Sequence, residues 1–214
     1  MIYFERRALF IHIPRTSGMS ISKAVLDSNH PDLNVVLGVD FGPFCRHSHA
    51  NFLKDTIQDF DQIEKFCVIR SPWRIVESTY RLAIKLGTEL KAGQHEWMRP
   101  SAKQVWLNSL EQTFEDFVLK NFRYLRKGFY AHWCMEWETF RDLGVKAFAF
   151  ESIHEHWPLI CEILQVPNDT TFPHENSAVC DRFDKRIKWT PESVHFIKTR
   201  CELDFKLFDY ASQP

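Results

Sequence analysis

The sequence predicts an α/β domain with a mostly parallel central sheet. Three observations carry the prediction: short apolar runs that read as buried strands, amphipathic stretches that alternate with them, and helix-starting residues at the junctions. At 214 residues, with 44% hydrophobic and 14% aromatic content, the chain can bury a full core. One domain over 1–214 with an insertion is the expected organisation.

The elements follow in order. Ala8 to Ile13 is nearly continuous in apolar residues and bounded by charges and Pro14, which suits a strand covered on both faces. Ile21, Ala24 and Val25 then fall at i, i+3 and i+4, the spacing of a helix with one buried face. "LNVVLGV" (33–39) reads as a second strand, "HANFLKDTIQDF" (49–60) as a helix, and "KFCVIR" (65–70) as a third strand. Ser71 is the expected N-cap of the next helix and Pro72 its first residue; the helix runs to about Leu86. Its polar stripe is Arg74, Ser78, Arg81 and Lys85. Residues 87–145 are helical in pattern without a strand signal and read as a helical insertion. "VKAFAFE" (145–151) is a fourth strand, 157–166 a helix, and 190–205 a last helix capped by Thr190.

Composition excludes several classes. Lys plus Arg (27) nearly balance Asp plus Glu (28), so no general nucleic-acid or polybasic membrane binder is expected, and any anion site must be local. Six cysteines, Cys45, Cys67, Cys134, Cys161, Cys180 and Cys201, form no CxxC pair and read as reduced core thiols. The segment "MIYFERRALF" is too short and too charged for a signal h-region, and no apolar run reaches the length of a membrane span, so a soluble chain is expected. The triplet Asn168-Asp169-Thr170 would matter only in a secretory compartment.

The stretch "FIHIPRTSGMS" (10–20) sets a small-residue turn between a strand and a helix. In a parallel sheet this is the carboxyl end, where ligands bind. Ser17 and Gly18 allow close backbone approach, the helix N-terminus adds positive partial charge, and Arg15, Thr16 and Ser20 add side-chain donors. That describes a phosphate cradle, and it equally describes an ordinary tight turn that needs a glycine. "CVIRSPWRIVESTYR" adds a second strand-turn-helix, with Arg70 at the end of a buried strand and Ser78 on the following helix. Both suit a second phosphate; an arginine paired with a carboxylate and a solvated helix face is the plainer reading. The kinase P-loop GxxxxGK followed by Ser or Thr is absent, and the fourth strand ends in Glu151 rather than a magnesium-binding Asp.

On these motifs the chain resembles the carbohydrate-type branch of the sulfotransferases. "FIHIPRTSGMSI" is similar to their 5′-phosphosulfate loop, PKTGGTS, and "VIRSPWRIVESTY" to their 3′-phosphate motif, RxPxxxxxSxY. "HSHANFLKD" resembles their His-Ala-Thr segment, "FAFESI" their closing strand, "FPHENSA" their Asn-x-Ser loop, and "CELDFKLFDY" their terminal DFxLFGY helix. The resemblance runs along both ends in order and leaves about 87–145 unaccounted for. It implies a P-loop-like three-layer fold that moves a sulfuryl group from 3′-phosphoadenosine 5′-phosphosulfate (PAPS) to a hydroxyl or amine. The implied product is adenosine 3′,5′-bisphosphate, and no metal is implied. Arg15, Thr16, Ser17, Gly18, Met19 and Ser20 would wrap the 5′-phosphosulfate, and Arg70 and Ser78 the 3′-phosphate. Implied too are a carbohydrate-like or small-molecule acceptor, no nucleic-acid or membrane partner, and a cytoplasmic protein like the short bacterial or phage members. The insertion would lie on the acceptor side; oligomeric state is not addressed.

Two departures stand out. The family lysine is Arg15 here, a planar fork that cannot lose its proton but still stabilises charge on a leaving phosphate. Met19 replaces a small or hydroxylated residue and is expected to narrow the loop or turn into the core. His49 aligns with the family's base and His47 lies two residues earlier, so both are candidate catalytic bases. Weaker candidates near the nucleotide are His174 and Asn176. Arg74, Arg81 and Lys85, or Arg182, Lys185, Arg186 and Lys188, could add anion contacts, and Trp97 and Trp106 could stack on an acceptor. Two rivals stand: a magnesium-dependent nucleoside or nucleotide kinase, and a non-catalytic nucleotide-binding relative.

Overall fold

Strand β2 (Ala8–Ile11) is buried at every residue, as a central strand must be when helices cover both faces. A computed structural model describes residues 2–4, 8–28, 35–37, 47–95, 98, 100–167, 172 and 186–214. Cys45, Trp97, Cys180, Arg182, Lys185, His174, Asn176 and the Asn168–Thr170 triplet lie outside these.

The chain divides into two compact units, one of 1–70 with 129–177 and one of 71–128 with 178–214. The first holds the sheet. Its described strands are β1 (Ile2–Phe4), β2, β3 (Val35–Leu37), β4 (Glu64–Ile69) and β5 (Val145–Ala149), in the order β3-β1-β2-β4-β5. β2, β4 and β5 are parallel, with Ile11 opposite Cys67 and Cys67 opposite Ala147. β1 pairs antiparallel with both β2 and β3, so the sheet is mixed rather than mostly parallel. Chain length explains it: only three residues separate Phe4 from Ala8, enough for a hairpin and far too few for a parallel crossover.

Alternation sorts the two faces. Ala8, Phe10, Phe66, Val68 and Phe148 form one buried cluster with Ile21, Ala24 and Val25 of α1 (Gly18–Asp27). Ile153, Trp157, Ile160, Cys161 and Leu164 of α7 (Ile153–Leu164) complete it. Between them in sequence lie α2 (Ala50–Thr56) and α6 (Phe129–Cys134), which pack together, with α6 also against β4. α7 starts four residues before the Trp157 the sequence predicts and runs through Pro158. An internal proline costs about 3 kcal/mol. Burying Ile153 and Trp157, at about 1.5–3 kcal/mol for a large apolar side chain, offsets it.

The second unit is helical: α3 (Pro72–Lys91), α4 (Pro100–Asn108), α5 (Phe114–Asn121), α8 (Pro191–Arg200) and α9 (Glu202–Phe208). Pro72 opens α3 as expected, but the helix continues past Leu86 to Lys91, and at Gly87 α4 comes close. A Cβ there would lie 2.5 Å from the Trp106 carbonyl oxygen. The predicted last helix is two, parted at Cys201. Leu203 N–H leaves the helical ladder for Lys127 O (3.0 Å), and buried Asp204 comes under Gly128, where a Cβ would lie 2.2 Å from its Oδ1. Cys67, Cys134, Cys161 and Cys201 are buried. Among the described residues no helix is long and apolar enough to cross a membrane.

Two outcomes test this packing. Phe66 is fully buried and stacked at 5.0 Å on Phe10, so Phe66→Ala should lower stability by about 3–5 kcal/mol in denaturant unfolding. A loss under about 1 kcal/mol would contradict the core. Hydrogen bonds from Thr139 and Lys54 pull the Glu136 carboxyl down to about 2, from an ordinary 4.5. A depressed carboxyl favours the folded state above its unfolded value, so this contribution should fade as pH falls from about 4.5 toward 2. Glu136→Gln should flatten unfolding midpoints over that window, and an unchanged profile would exclude the network.

Candidate functional site

β4 and β5 end level, with Ile69 opposite Ala149, and β2 ends two residues short of them, with Ile11 opposite Cys67. After β2 come His12 and Ile13, and then the turn Pro14–Ser17 into α1. Arg15 (φ 68) and Ser17 (φ 70) are both left-handed on either side of Thr16, a backbone pattern that curls successive N–H groups toward one point. Ordinary side chains adopt this region reluctantly, so the surroundings must hold them there. Thr16 is one such hold: fully buried, its hydroxyl donates to Ile13 O (2.7 Å).

Gly18 is the other. A Cβ at this position would fall 1.9 Å from His12 Nε2 and 2.0 Å from its Cδ2, so the imidazole occupies the space a side chain would need. His12 is itself buried and stacked on Phe10 at 5.7 Å between ring centres. The first ladder bond of α1 runs from Ile21 N–H to Ser17 O (3.1 Å), which leaves the N–H groups of Gly18, Met19 and Ser20 ahead of the ladder. They stand at the positive end of the helix dipole. Ser17 is the N-cap residue, yet among the described residues its side chain makes no cap bond and its buried Oγ has no hydrogen-bond partner. A buried hydroxyl left unmatched costs about 1–3 kcal/mol, which a ligand oxygen would relieve. Met19 is 39% exposed and so does not turn into the core, contrary to expectation.

Arg15 is half-buried, and that desolvation lowers its pKa from the ordinary value. An arginine keeps its proton regardless, so the penalty becomes attraction for an anion. Arg70, directly after β4, turns back to the same place: its Nη1 donates to Arg15 O at 3.4 Å. Its guanidinium carbon lies 4.4 Å from the ring centre of Phe150, the residue after β5, in a cation–π contact. The two cationic residues of the two sequence motifs therefore meet.

The histidine segment also belongs to this unit. His47 Nδ1 is 3.0 Å from His12 O, and its ring tilts against the His12 ring at 4.4 Å. His49 Nδ1 is 2.9 Å from His132 O, and its ring stacks on Trp133 (5.1 Å, 14°) with the edges of His132 and Trp137 against it. Carbonyls accept only, so in each histidine Nδ1 carries the proton and Nε2 the lone pair.

Within the second unit, Ser78 is half-buried on α3, and Tyr80 of the same motif is fully buried against Phe114 and Phe117. Arg74 and Arg81 both reach the buried Glu77 carboxylate (3.1 and 3.5 Å), which also accepts from Trp189 Nε1 (3.2 Å). Lys85 faces Glu89 at 3.9 Å. These cations answer carboxylates of their own helix. Arg186 lies 5.9 Å over the Tyr80 ring, Trp106 is half-buried, and Trp73 Nε1 donates to Ala211 O (2.8 Å).

Sequence reasoning did not identify His12, His132 or Phe150 as neighbours of the candidate residues. A histidine within the apolar run "FIHIP" was the available signal for the first. Comparison of the chain with protein families, with curated proteins and with solved structures finds no match.

The His12 contact makes Gly18→Ala a defined test. The substitution should lower stability by about 1–3 kcal/mol, the usual penalty of overpacking. In a His12→Ala background the space is open and the penalty should largely vanish. Additive losses in the double-mutant cycle would exclude the contact.

Proposed function

We propose that the chain is a PAPS-dependent sulfotransferase acting on a hydroxyl or amine of a carbohydrate-like or small-molecule acceptor. The observation that carries this reading is the hydrogen bond from Arg70 Nη1 to Arg15 O, which joins the residues of the 5′-phosphosulfate and 3′-phosphate motifs. The sheet, with parallel strands ending beside the turn, fits a P-loop-like fold of that class. The unmatched Ser17 hydroxyl and the side-chain-free Gly18 suit a phosphate oxygen drawn against the backbone.

In this reading the turn 15–20 grips the 5′ end of the donor, and Arg70 holds its 3′-phosphate. The donor supplies an activated sulfuryl group whose leaving phosphate is a weak base. Arg15 offsets the charge that grows on that phosphate as the sulfur–oxygen bond lengthens. A histidine of the 47–49 segment accepts the acceptor proton. The rest is positioning. The kinase alternative lacks the Gly-Lys-Ser/Thr run that would hold a triphosphate and magnesium. A binding-only relative would keep the nucleotide site without transfer.

Arg70→Ala should weaken binding of adenosine 3′,5′-bisphosphate by about 1.5–3 kcal/mol in calorimetric titration, the range for a hydrogen bond to a charged group. Unchanged affinity would remove Arg70 from the site and with it the main support for the function.

A further inference from the structure

We propose that the catalytic base is His47, oriented by His12, and that His49 is a structural member of an aromatic cluster. The inference rests on the sulfuryl-transfer reading and reverses the preference that the resemblance gives to His49.

The division comes from what each ring touches. His49 is enclosed by Trp133, His132 and Trp137, all within 5.2 Å between ring centres. The carbonyl of His132 takes both the Nδ1–H of His49 (2.9 Å) and the Nε1–H of Trp137 (3.0 Å). This cluster fastens the start of α2 to the end of α6, as Lys54 and Glu136 do beside it (3.0 Å). Its business is packing.

His47 is held in the opposite direction. Its carbonyl accepts from Trp133 Nε1 (3.3 Å), which anchors its backbone to the same cluster, while its ring leans on His12. His12 in turn lies against Gly18 in the phosphate turn. The path from ring to ring to turn is two contacts long. The His12 carbonyl fixes the Nδ1–H tautomer of His47 and so leaves the basic lone pair on Nε2. His12 is a positioning residue: its ring shapes the turn and its carbonyl sets the base.

The step balances simply. The acceptor oxygen bonds to sulfur, the sulfur–oxygen bond to the 5′-phosphate breaks with its electron pair remaining on phosphate, and the acceptor proton goes to His47 Nε2.

The test is two-bond 1H–15N correlation of the histidine rings in the full chain, assigned with His47→Gln and His49→Gln and titrated with adenosine 3′,5′-bisphosphate. His47 should show the Nδ1–H tautomer and shift as the ligand saturates, while His49 stays. A response of His49 alone, or of neither ring while calorimetry shows the ligand bound, would overturn the assignment. Absence of calorimetric binding would overturn the sulfuryl-transfer reading itself, and the assignment would fall with it. With water as acceptor, His47→Gln should slow release of the bisphosphate from PAPS by roughly 10² or more while keeping its affinity for that product. A rate equal to that of the unsubstituted chain would contradict the role.

Discussion

The candidate site depends on one contact, the imidazole of His12 against the bare Cα of Gly18. It determines that residue 18 has no side chain, and hence that the N-terminus of α1 meets the end of β2 at close range. The left-handed Arg15 and Ser17 are then needed to turn the chain within so short a distance. Thr16 is drawn inward to bond Ile13 O, and Ser17 Oγ is buried without a partner among the described residues. Strain, an unmatched hydroxyl and a half-buried arginine are all unfavourable in isolation. A bound oxyanion would compensate each of them.

The sheet explains why the contact occurs where it does. Parallel pairing ends β4 and β5 level, so Arg70 and Phe150 become neighbours, and ends β2 two residues earlier, so the chain continues through His12 and Ile13 before it turns. Arg70 thus lies between the Arg15 carbonyl and the Phe150 ring with no long side-chain excursion. Antiparallel β1 and β3 extend the sheet on the far side of β2 and leave this edge of the arrangement to the parallel strands.

Much of this was legible in the residues. The turn 14–18 could be read from small residues after an apolar run, and Arg70 from a charge ending another. Pro72 and Thr190 announced their helices because capping is written in single residues. What stayed hidden depends on contacts distant in sequence. No local pattern shows that Asp204 will lie under Gly128, so the break at Cys201 was invisible. Nor does spacing tell that His49 packs on Trp133 while His47 leans on His12, since the two histidines sit two residues apart with equal propensities. The start of α7 at Ile153, ahead of the expected 157, goes with the burial of Ile153 and Trp157.

The central claim is that the turn 15–20 together with Arg70 forms a nucleotide site for a 3′,5′-bisphosphate. The most direct measurement is calorimetric titration of adenosine 3′,5′-bisphosphate beside ADP, each with and without magnesium. The account predicts preference for the bisphosphate, unchanged by the metal. Preference for ADP that requires magnesium would contradict it and make the site that of a kinase.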